Sequence, residues 1–133
     1  MRPTDLLPIS SLLSAVLLSV HISQDIVLGL DRAGLNHLVG VSILLLLVCG
    51  TLLLRDRILG KIIMLLGGIM AAGMLPLHMR NGFGPEFLQR DGVLLFVWVL
   101  YLLGVNGGFA IVLAVRSFFV RTQRTEHGVP GHA

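Results

Sequence analysis

From Ala33 to Leu54 the chain reads AGLNHLVGVSILLLLVCGTLLL, 22 residues without an Asp, Glu, Lys or Arg. At its centre Ile43-Leu44-Leu45-Leu46-Leu47-Val48 is apolar at every position. A membrane barrel strand alternates polar and apolar residues, so an unbroken run of this kind is not one. As a helix it is long enough to cross a bilayer core of about 30 Å, which takes about 20 residues. In lipid the backbone must satisfy its own hydrogen bonds, and for a continuous apolar run the helix is the structure that does so.

Three more charge-free runs surround it, at residues 6–24, 62–79 and 92–115, with lengths of 19, 18 and 24. The whole chain of 133 residues is 55% hydrophobic and only 13% charged, against about 25% charged in an average soluble domain. That leaves too few charges to coat a soluble domain, and it excludes a soluble enzyme and a disordered tail. The single cysteine, Cys49, excludes an internal disulfide and a dithiol redox site. The expected fold is all-α: an integral membrane four-helix transmembrane bundle occupying residues 1–117, with helices at about 6–28, 34–54, 58–79 and 92–116. Residues 118–133 read as a cytoplasmic tail, disordered from about Gly128. The first run exceeds the length of a secretory h-region, about 7–15 residues, and no small-x-small cleavage site follows it, so it reads as a retained helix.

The few charges set the orientation. Seven bases (Arg2, Arg55, Arg57, Lys61, Arg116, Arg121 and Arg124) flank one side of the four runs, and three (Arg32, Arg80 and Arg90) flank the other. Cytoplasmic loops carry the Lys/Arg excess, which places both termini in the cytoplasm of a multi-pass protein of the bacterial inner membrane. Because the bases lie between apolar runs rather than along one face, the partner they imply is the lipid bilayer and not nucleic acid. A homo-oligomer or a larger membrane complex is the protein partnership expected.

Polar groups inside spans are costly and therefore informative. At 100° per residue, Ser10, Ser14, His21, Gln24 and Asp25 share one arc of the first helix, and His21 and Asp25 face each other across one turn. In the third helix Gly60, Met64, Gly67, Ala71, Met74 and His78 share a face. The fourth holds Gly104-Val105-Asn106-Gly107-Gly108, an amide among small residues that allow close backbone approach. The orientation then brings His21, His37 and His78, one from each of three helices, to the same outer leaflet, together with Asp25, Arg80 and Glu86. These six residues form the expected ligand-binding pocket, suited to an ion, a small ligand or a partner subunit in a non-enzymatic protein.

The alternative is a metal- or haem-binding membrane protein for electron transfer or redox work, using His21 and His78. Imidazole suits zinc, copper, iron and nickel, and the metal candidates are His21, Asp25, His78 and, by softness toward Cu(I), Met74. Neither cofactor is favoured over the pocket reading. A proton relay along the first helix is also physically open, since histidine titrates near physiological pH, but its polar stripe ends in serines.

Four segments together, His21-Ile22-Ser23-Gln24-Asp25-Ile26, Ile62-Ile63-Met64-Leu65-Leu66-Gly67-Gly68, Leu77-His78-Met79-Arg80 and Phe96-Val97-Trp98, resemble a group of small four-helix bacterial integral membrane proteins with no known activity. The resemblance covers roughly residues 15–116. It departs from the group at Gln24, where an acidic residue is common. It implies the four-helix topology and points to His21, Asp25, His78 and Arg80, and it implies no reaction.

Overall fold

A computed structural model describes residues 5–29, 35–80 and 84–126, with residues 35–37 and 120–126 given by their backbone alone. It is all-helical over this range: α1 Leu6–Val27, α2 Leu35–Leu53, α3 Ile58–Met79, α4 Pro85–Leu88 and α5 Val93–Glu126. The charge-free runs coincide with the long helices to within a few residues. Two differences concern the polar segments between and after them. The 80–91 connector contains α4, a single turn begun by Pro85 at its first position, where the missing N–H costs no hydrogen bond. And α5 continues ten residues past 116, because the sequence offers no Gly or Pro until Gly128. The expected disorder from Gly128 onward falls outside the described residues.

Three helices are long and apolar enough to cross a membrane: α1, α3 and residues Val93–Phe119 of α5. The apolar part of α2, Leu38–Leu53, is shorter. Large apolar side chains face outward on every long helix, with Leu53 76% and Leu94 74% exposed. Water would not tolerate apolar surface on this scale, whereas a bilayer accepts it. The protein is an α-helical membrane protein.

The interior is built in layers along the bundle. Near the start of α1, Leu7 packs with Met64 of α3 and Ala114 of α5. Further along, Leu18 packs with Ala71 and Leu103. Beyond that layer, His21 meets His78 and Phe96. The layers advance along α1 and α3 while receding along α5, so α1 and α3 run parallel and α5 runs against both. One end of the bundle therefore carries the Arg55–Lys61 turn and Arg116; the other carries the histidines. We call these the basic end and the histidine end.

At the α3–α5 crossing Gly68 and Gly107 bring the two backbones together: a Cβ on Gly107 would lie 2.7 Å from the Gly68 carbonyl oxygen. Polar side chains lock the other contacts. Asn106 Nδ2 donates to the Ser10 carbonyl at 2.9 Å and to Ser14 Oγ at 2.8 Å, and Ser10 Oγ donates back to Asn106 Oδ1 at 3.1 Å. Thr51 Oγ1 gives its proton to the Leu47 carbonyl at 2.7 Å, so Ser11 Oγ is the donor across the 2.8 Å contact that joins α1 to α2. At the basic end Lys61 Nζ reaches the Ser117 carbonyl at 3.4 Å.

Candidate functional site

The histidine end holds the chemically distinctive cluster. His21 lies in the last third of α1 and is 2% exposed. One turn on, Asp25 places Oδ2 3.4 Å from His21 Nε2, the outcome of their four-residue spacing. From α3, His78 packs its ring edge-to-face on His21 with centroids 4.9 Å apart. One ligand atom from each of His21, Asp25 and His78 lies within 4.8 Å of the others.

The environment fixes what each group offers. His78 Nδ1 donates its proton to the Met74 carbonyl at 2.9 Å. That carbonyl is an acceptor only, so in the neutral ring the other nitrogen, Nε2, carries the lone pair. An imidazole anchored through one nitrogen to a backbone carbonyl is the usual state of a metal-ligating histidine. His21 Nδ1 is buried with no hydrogen-bond partner, as is Gln24 Oε1 one turn away. An unsatisfied buried polar atom costs about 1–3 kcal/mol, so the helix end carries polar capacity that its own contacts do not use.

Phe96 of α5, fully buried, completes the cluster. Its ring centroid lies 5.4 Å from that of His21 and 5.9 Å from that of His78, and Phe87 of α4 packs edge-to-face on it at 6.1 Å. The sequence reading gave Phe96 no role in the pocket. The antiparallel fit of α3 and α5 explains its place: with Gly68 opposite Gly107 and Ala71 opposite Leu103, His78 falls opposite the first turn of α5.

The other sequence candidates are Arg80, Glu86, His37 and Met74. Arg80 is exposed at the C-cap of α3, about 200° around the helix from His78, and so turns away from the cluster. Glu86 is exposed on α4. His37 belongs to the first turn of α2, and its side chain lies outside the described residues. Met74 packs its side chain against the Leu18, Ala71 and Leu103 layer and supplies the site with its carbonyl rather than its sulfur.

The cluster can be tested against each group proposed for it. A haem held by both histidines needs the macrocycle between the two rings. Here the rings touch edge to face and Phe96 packs against both, so a haem does not fit. A single metal ion fits better. In a tetrahedral site with bonds of about 2.1 Å, neighbouring ligand atoms lie about 3.4 Å apart, and His21 and Asp25 already stand at that separation. A polar relay down α1 is interrupted, because the Leu18, Ala71 and Leu103 layer lies between the histidines and the Ser10, Ser14 and Asn106 network.

The chain matches no protein-family model, no curated protein and no solved structure at a significant level. Function is therefore argued from the cluster itself.

Proposed function

We propose that this protein is a non-enzymatic, four-span protein of the bacterial inner membrane that binds one divalent transition-metal ion through His21, Asp25 and His78. The observation that carries the reading is the gathering of three ligand groups from two helices within 4.8 Å. Two imidazoles and a carboxylate suit zinc, iron(II), cobalt and nickel better than Cu(I), which prefers the thioether that Met74 turns elsewhere. In this reading α2 is the fourth span, with flanking side chains snorkelling and the bilayer thinning locally to make up its length. Both termini and the basic end face the cytoplasm, following the seven-to-three distribution of bases.

The depth of the site supports access from water. Trp98 and Tyr101 form an outward-facing edge-to-face pair on α5, with centroids 6.4 Å apart, and such residues mark the membrane–water boundary. About 30 Å of helix below Trp98 leads to Phe118, close to Arg116 and Arg121. The hydrocarbon core then runs from about Trp98 to about Phe118. Phe96, and with it the histidine cluster, sits at the level of the outer headgroups.

Metal analysis of purified protein after incubation with zinc or cobalt and removal of free ion tests this. The wild type is expected to retain one ion per chain. His21→Ala and His78→Ala should each retain almost none, while a variant lacking the tail residues His127 and His132 behaves as the wild type. Wild-type protein that holds no more metal than the His21→Ala, His78→Ala double variant would sink the reading.

A further inference from the structure

We infer that the bound ion keeps one exchangeable coordination position, turned toward the histidine end, and that a small monoanion fills it. This deepens the metal reading above and rests on it. The first support is the number of ligands. Among the described His, Cys, Asp and Glu residues the cluster offers three groups, and three such ligands with a fourth position left to water or solute is the pattern of open metal sites, as opposed to closed structural ones.

Direction follows from burial. His21 is sealed into the bundle at 2% exposure, with Phe96 fully buried against it, while Asp25 is 20% exposed and His78 is half-buried. The protein covers the ion on its inner side. The position it leaves open lies past Asp25 and His78, the two ligands that keep some exposure.

Charge decides what occupies that position. His78 commits one nitrogen to a carbonyl and can ligate only as a neutral imidazole, and His21 ligates in the same form. Two neutral imidazoles and one carboxylate leave a divalent ion with one unit of positive charge. Against the buried inner wall formed by His21 and Phe96, an unpaired charge is expensive. A monoanion that displaces the bound water makes the loaded site neutral, by ligand exchange with no change in the oxidation state of the metal.

Cobalt(II) reports its coordination through visible absorption, so the test is titration of the cobalt-loaded full-length protein in detergent with sodium azide. The expected result is a saturable change of the cobalt bands with one azide per cobalt, absent from His78→Ala protein treated in the same way. Cobalt bound one per chain with a spectrum indifferent to azide overturns the exchangeable position and leaves the metal reading intact. A protein that takes up neither cobalt nor zinc overturns both.

Discussion

Asn106 shows what a single polar side chain does in an apolar bundle. It sits in the middle of α5, a place where an amide facing lipid would be costly, and it is paid in full by Ser10 and Ser14. Interhelical hydrogen bonds in membranes are worth about 0.6 kcal/mol on average, with maxima near 1.7. Asn106→Leu removes three of them and leaves two serines that can turn their hydroxyls to their own helix. The expected loss is about 1–2 kcal/mol, read as lowered resistance to unfolding in mixed micelles, with Ser14→Ala costing less than half as much. Equal losses from the two variants would mean that the amide does not organise the network. The sequence marked Asn106 as a buried amide among glycines, but its partners depend on how α5 is rotated against α1, which no one-dimensional pattern records. The same limit separated His78, which meets His21, from Arg80, which lies two residues later and faces away.

At the scale of elements, the positions of the long helices were legible because lipid imposes a simple rule: a charge ends a span. Their contacts were less so. Gly104 and Gly108 look like a small-xxx-small pair, and Gly104 does pack against α3, where a Cβ would lie 3.1 Å from that of Leu75; but the closest approach is Gly107 against Gly68, while a Cβ on Gly108 would meet nothing within 4 Å. Two opposite outcomes follow for residues one apart. Gly107→Val must push α3 and α5 apart and is expected to cost about 1–3 kcal/mol, the usual penalty of overpacking. Gly108→Ala should cost nothing and can add up to about 1 kcal/mol, the helix preference of Ala over Gly. The unfolding midpoints of the two variants, measured side by side, decide it; comparable losses would place the crossing elsewhere. Phe96 was hidden for the same reason, since only the antiparallel register of α3 and α5 carries it to the histidines.

For the whole molecule, the layered interior makes the two ends of the bundle chemically separate. The histidine cluster is divided from the serine–asparagine network by the Leu18, Ala71 and Leu103 layer, and from the basic end by the further packing of Leu7, Met64 and Ala114. An apolar layer in a bilayer admits neither ions nor a chelator carrying several charges, because either would lose its hydration without compensation. A metal ion held by His21, Asp25 and His78 should therefore exchange with one side of the membrane only. In sealed right-side-out vesicles holding the metal-loaded protein, external EDTA is expected to strip the ion. In sealed inverted vesicles the ion should stay until detergent opens them. Stripping from inverted vesicles alone would reverse the orientation inferred from the bases, and a reporter fused to the C-terminus would then be found on the outer side. Stripping from both, in vesicles shown to be sealed, would mean that the apolar layer opens and that the protein conducts the ion instead of holding it.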